Sequence, residues 1–221
     1  ELLPCAEMVR FMRNGTDATH AAVRLARAVT GKQHAIFCGY HGGGQDSYGV
    51  TTDRSEGILP QLLPYNHQTV WGDLGSIPRH VYDNLACIMV EVPPVPWGSP
   101  LGSMTKMLVM YENMAQAHGA LFVLDEVVTF PRYDIHGAQT LYNCIPDLCC
   151  VSKAIANGLP LAALVGKRAY MERLNRGDIF VSYTFAGETT ALAACKATLE
   201  ILRDTEALTN LHTQGQALGD G

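Results

Sequence analysis

The chain has 221 residues, 48% of them hydrophobic and 17% charged, with a formal net charge of −5. That size and balance exclude an intrinsically disordered chain and describe a globular protein able to bury a sizeable core. A mildly acidic chain with no basic cluster argues against a nucleic-acid or anionic-membrane partner, and no apolar run approaches the ~20 residues that span a bilayer.

Read from the start, Glu1-Leu2-Leu3-Pro4 lacks the basic and long apolar regions of a signal peptide. Ala18, Ala21, Ala22, Leu25, Ala26 and Val29 recur at helical spacing and predict a helix over about Asp17 to Thr30, ended by Gly31. A strand near Ala35 to Cys38 leads into Tyr40-His41-Gly42-Gly43-Gly44. The stretch from Val50 to Pro78 is rich in turn residues and reads as loop with short elements. A second strand, Ala86 to Val92, is apolar except for Glu91, and Pro93-Pro94-Val95-Pro96 cannot continue it. A helix over about Met104 to Ala117 precedes Ala120 to Leu124, a wholly apolar strand of the kind buried on both faces. That strand stops at Asp125-Glu126. The short run Leu148 to Val151 leads into Ser152-Lys153, Leu161 to Val165 is another strand, and Thr189 to about Leu202 is helical. Alternating strands and helices predict an α/β fold, a mostly parallel central sheet with helices on both faces. Seven cysteines, an odd number without zinc-like spacing, read as free thiols in a reducing, cytoplasmic compartment. The two ends read as those of a core without its flanking segments.

Several positions carry residue types suited to chemistry. Asp125 ends a buried parallel strand, where α/β sheets bind ligands; a carboxylate there serves equally as a helix cap or a core ion-pair partner. Lys153 follows an apolar strand and precedes a glycine turn; it points into the same cleft and forms an imine with a carbonyl, or it is a solvated surface lysine. Asn14-Gly15-Thr16 opens a helix, an arrangement that binds phosphate or simply caps the helix. Tyr40 stands where its ring can stack on a flat ligand or pack in a turn, and His41 adjoins it. Glu91, polar in an apolar strand, belongs to a site or ties down a loop. Trp71, Trp97 and the scattered methionines are contacts of core or surface.

In order along the chain, these pieces resemble the class III aminotransferases of pyridoxal-phosphate (PLP) fold type I, nearest to the glutamate-1-semialdehyde aminomutase branch. The matching stretches include Met8 to Phe11, Asn14-Gly15-Thr16-Asp17-Ala18, Ala22 to Gly31, Tyr40-His41-Gly42, Asp125-Glu126-Val127, Gly137-Ala138-Gln139, Pro146-Asp147-Leu148, Lys153 with Asn157-Gly158-Leu159-Pro160, and Tyr183-Thr184-Phe185. The chain departs from the family pattern at Asn14 and Asp17, at Phe130-Pro131-Arg132, at Ser152, and at Gly187-Glu188-Thr189.

The resemblance implies a PLP enzyme moving an amino group, by transamination or by 1,2 transfer, on a small amino or keto substrate. It implies that Lys153 holds PLP as a Schiff base and moves the proton, that Asp125 keeps the ring nitrogen protonated, that Val127 packs beneath the ring and that Tyr40 stacks above it. Asn14, Gly15 and Thr16 then lie at the phosphate, with His41 and Glu91 beside the cofactor. Thr184 reaches the phosphate of a neighbouring subunit in a homodimer with shared sites. Residues 1–205 form the PLP-binding large domain, and 206–221 begin a C-terminal segment. A member that kept only the fold, as a binding or dimerisation module, is the alternative.

Overall fold

The computed structural model describes residues 2–43, 56–92 and 101–219. Trp97 and the proline run after Glu91 lie outside them. A seven-stranded sheet forms the centre: β1 (Met8–Met12), β2 (His34–Cys38), β3 (Asn66–Thr69), β4 (Leu85–Glu91), β5 (Leu121–Asp125), β6 (Leu148–Val151) and β7 (Ala162–Gly166), in the spatial order β1-β7-β6-β5-β4-β2-β3. Strands β3, β2, β4, β5 and β6 pair in parallel, and β7 runs against its neighbours β6 and β1.

Helix α1 (Gly15–Thr30) starts two residues earlier than its apolar pattern predicts, because the Asn14 side chain accepts the Asp17 N–H at 3.0 Å and caps it. Gly31, at φ 70°, closes it in the left-handed conformation that favours glycine. Other helices are α2 (Arg79–Asp83), α3 (Leu101–Ala117), α4 (Gly137–Leu141), α5 (Arg168–Met171), α6 (Thr189–Asp204) and α7 (Ala207–Gly219).

The layers follow from strand alternation. On β2, β4 and β5, Ala35 and Phe37, Cys87 and Met89, and Leu121 and Val123 pack on α1. The intervening Ile36, Ile88, Val90, Phe122 and Leu124 pack on the other face, against Met104, Leu108, Tyr111 and Ala115 of α3. Both faces of β5 are therefore covered, as its unbroken apolar run requires. Each fully buried side chain of this size contributes about 1.5–3 kcal/mol.

The edge strands β1 and β3 lack the two-sided burial of the centre: β1 exposes Val9, Arg10 and Phe11, and β3 has no apolar residue. Strand β3 is Asn-His-Gln-Thr, and it is held by backbone pairing to β2 and by side chains at its start. Arg27 of α1 donates to the Asn66 side chain at 3.0 Å, and His34 Nδ1 meets His67 Nε2 at 3.0 Å. A nitrogen–nitrogen hydrogen bond needs one neutral ring. Burial lowers the pKa of both rings; His80 and Arg27 lower His34 further, and His34 and His80 lower His67. The folded chain thus binds these protons less readily than the unfolded chain, so their contribution is complete above about pH 6.5 and is lost as the pH falls. Chemical denaturation between pH 7.5 and 5.5 is expected to show a loss of stability that is shallower in His67→Gln than in the parent chain.

Candidate active site

Strand alternation also places the site. Continuing the α1-facing sets of β4 (Cys87, Met89), β5 (Leu121, Val123) and β6 (Leu148, Cys150) by two residues gives Glu91, Asp125 and Ser152. All three line one cavity of about 320 Å³ at the carboxyl ends of the parallel strands, and Glu91 is the register partner of Asp125. Ligands of open α/β sheets bind at this end. The start of α1, the turn after β2 and the turn after β6 close the cavity with Asn14, Gly15, Thr16, Tyr40, His41 and Lys153; Val127 lines it too.

Asp125 is 3% exposed and is held on both oxygens. The Val127 N–H donates to Oδ1 at 3.0 Å, and His41 Nδ1 lies 2.8 Å from Oδ2. A carboxylate can only accept, so Nδ1 is the protonated nitrogen of this ring. His41 is held in turn by Thr19 of α1, whose hydroxyl lies 2.8 Å from the His41 carbonyl oxygen and 3.1 Å from that of Thr16. Glu91 accepts the Tyr40 N–H at 2.7 Å. Burial raises its pKa, and the nearby Asp125 charge adds to that; the Tyr40 N–H, His41 and Lys153 oppose it.

Lys153 is exposed and sits at φ +49°, a left-handed conformation that costs a non-glycine residue about 1–3 kcal/mol. The Ser152 hydroxyl, donating to the Leu161 carbonyl at 2.8 Å, ties down the residue before it. Lys153 borders a second, larger hollow of about 980 Å³ beneath α6 and α7 as well. Gly15 is spatially constrained: a Cβ there would come 2.8 Å from Val127 Cγ1. At Gly42, φ is +92° and a Cβ would strike the Thr16 side chain. The two glycines leave a cradle of backbone above the cavity beside the first turn of α1, whose early N–H groups lack helical partners.

Of the sequence candidates, only Thr184 lies elsewhere: it is exposed and does not line this cavity. Thr19 and Ser152 line the cavity as well and were not among the candidates, although both stand at intervals from named ones that alternation or helical spacing supplies. Glu126 took a separate path. It points away from Asp125 and is fully buried, accepting the Ala138 N–H at 2.6 Å and the Gln139 side chain at 3.3 Å. Cys5 N–H bonds the same Gln139 at 3.1 Å. Desolvation pushes the Glu126 carboxyl up to about 7.

A family model described as "Aminotransferase class-III" matches residues 1–221. The glutamate-1-semialdehyde 2,1-aminomutase of Methanosphaera stadtmanae is 33% identical, with 99% of this chain and 54% of that protein covered. The 3-aminobutyryl-CoA aminotransferase of Cloacimonas acidaminovorans is also 33% identical, over 99% of this chain and 53% of its own length. Among solved structures, the FumI protein of Sphingopyxis sp. MTA144, described as a PLP internal aldimine form, superposes with a TM-score of 0.82 at 27% identity, covering 99% of this chain and 53% of that one. The β-phenylalanine aminotransferase of Variovorax paradoxus gives 0.77 at 27%, with 98% and 50% covered. The chain spans about half the length of the curated relatives it matches.

The lifted Glu126 pKa has a measurable consequence. The folded state holds this proton up to about pH 7, whereas the unfolded chain releases it near 4.5. Keeping Glu126 buried therefore costs increasing stability as the pH rises through that window, by about 3 kcal/mol in all at 1.36 kcal/mol per unit. Glu126→Gln carries no such proton. Urea unfolding at pH 4.5 and pH 8 is expected to show the variant gaining on the parent chain by roughly that amount; an equal difference at both pH values would refute the lift.

Proposed function

The chain belongs to the class III aminotransferase family, and from that premise we propose that it forms the PLP-binding core of an enzyme that moves an amino group. One observation carries the reading: Lys153, Asp125 and the Gly15-Thr16 turn, far apart in sequence, line one cavity of about 320 Å³ at the ends of two different strands and a helix. That volume suits a small flat ligand. The residues fit PLP group by group: an amine for its carbonyl carbon, a buried carboxylate for its ring nitrogen, and a glycine cradle at a helix N-terminus for its phosphate.

When bound, PLP supplies an electron sink that makes a C–H bond beside an amine acidic. The chain's own residues supply the rest. Lys153 Nζ is the amine that would hold the cofactor through its carbonyl carbon, and the base that would take and return a proton beside the substrate amine. Asp125 would face the ring nitrogen and keep a proton there, and His41 and the Val127 N–H keep its carboxylate aimed. Val127, wedged against Gly15, offers an apolar floor, and Tyr40 a ring on the opposite side. The larger hollow that shares Lys153 is the side from which the amino substrate approaches.

The active assembly is a homodimer. Phe180 and Phe185 are 73% and 70% exposed, and Phe185 directly follows Thr184. A second copy covering these rings would bring Thr184 to the neighbour's phosphate. Residues 1–205 serve as the large domain, and α7 begins the segment that follows. All seven cysteines are free thiols, six of them buried, which suits a reducing, cytoplasmic setting. Among the described residues no helix is long and apolar enough to cross a membrane.

Borohydride reduction of the chain mixed with PLP, followed by peptide mass mapping, is expected to leave one pyridoxyl group, on Lys153, and none in Lys153→Ala. A folded sample without the adduct would refute the cofactor assignment. In an active assembly, Asp125→Asn is expected to retain the adduct while turnover falls by about 100-fold or more. A requirement for an added keto acid would identify transfer between two substrates; turnover without one would identify transfer within a single molecule.

A further inference from the structure

Peptide 39–40 leaves the end of β2 and carries Tyr40 toward the cavity. Its two polar atoms point in opposite directions, and each meets a side chain from a different strand. The Tyr40 N–H donates to Glu91 Oε2 at 2.7 Å, from the end of β4. The Gly39 carbonyl accepts from Gln68 Nε2 at 3.2 Å, from the edge strand β3. Gly39 sits at φ +101°, and a Cβ there would come 2.5 Å from Glu91 Cβ and 2.7 Å from Oε2. The glycine lets the Glu91 side chain lie directly against the turn.

Tyr40 is 59% exposed and lines the cavity. The peptide that bears it sets where its Cα stands, and so where its ring enters. We infer that Gln68 and Glu91 are positioning residues that grip the Gly39–Tyr40 peptide from opposite edges and thereby set the Tyr40 ring over the cavity. Neither needs to touch the cofactor for this role. It gives the polar edge strand β3 a task in the site, because Gln68 directly follows His67, whose ring is bonded to His34. Glu91 acts as a hydrogen-bond acceptor here, a role its neutral amide analogue can fill. The effect on a ligand rests on the PLP reading above; the grip on the peptide does not.

The test has one arm without cofactor and one with it. In the full chain without PLP, hydrogen exchange at the Tyr40 amide is expected to speed up at least about 10-fold in Glu91→Ala and to stay near the parent rate in Glu91→Gln, with core amides of β4 unchanged as the control for folding. With PLP, titrated by fluorescence, Gln68→Ala is expected to weaken binding by about 3- to 10-fold in the parent and to have no effect in a Tyr40→Ala background, since the two residues act as one unit. Unchanged Tyr40 exchange in Glu91→Ala, or an equal loss of PLP affinity on both sides of the double-mutant cycle, overturns the inference. If the parent chain takes up no PLP, the function proposed above fails, and the exchange arm still decides the grip.

Discussion

A carboxylate buried at the end of a parallel strand must be hydrogen-bonded, because burying an unpaired charge costs more than a domain's marginal stability allows. Asp125 meets this demand with the Val127 N–H on one oxygen and the His41 ring on the other. Each bond recruits a further element. Val127 packs against Gly15 at the head of α1, and His41 is held through its carbonyl by Thr19, one turn into the same helix. The carboxylate therefore fixes the distance between the sheet and the helix N-terminus, and the cavity lies between them.

Two adjacent acids show how one strand serves two layers. Asp125 faces α1 and the cavity; Glu126 faces the opposite side, where it gathers the Ala138 N–H, Gln139 and the N-terminal segment through Cys5. Desolvation dominates at Glu126 because no cation is among its bonded partners. The first acid organises the site, and the second ties the chain's beginning and helix α4 to the back of the sheet. A substitution at either one would disturb a different half of the molecule.

The centre of the sheet and its margins are built on different principles. Strands β4 and β5 are held by burial on both faces, with almost every side chain excluded from water. Strand β3 has no apolar side chain to bury; backbone pairing, the Arg27 bond to Asn66 and the histidine pair keep it in place. Polar bonds at a surface respond to pH and solvent more than packing does. The residue that reaches from this strand to the Tyr40 turn is consequently attached to a less rigid part of the sheet than Asp125 is.

The sequence by itself determined the central strands, the two long helices α1 and α6 and most of α3, because their apolar residues repeat with the period of the element that buries them. It also placed Asp125 at a strand end and Lys153 after a strand, and the ordered set of short motifs pointed to the family. It named no strand at β1, whose middle three residues are exposed, or at β3, which is wholly polar, so that pairing partners more than burial make them strands. It could not choose between cap and ligand for Asn14, whose side chain caps α1, or separate the roles of Asp125 and Glu126, which differ only in the face to which alternation turns them. Only the tertiary structure brought together residues from 14 to 153, because a parallel sheet gathers the ends of distant strands at one edge and the sequence distance between them carries no record of that meeting.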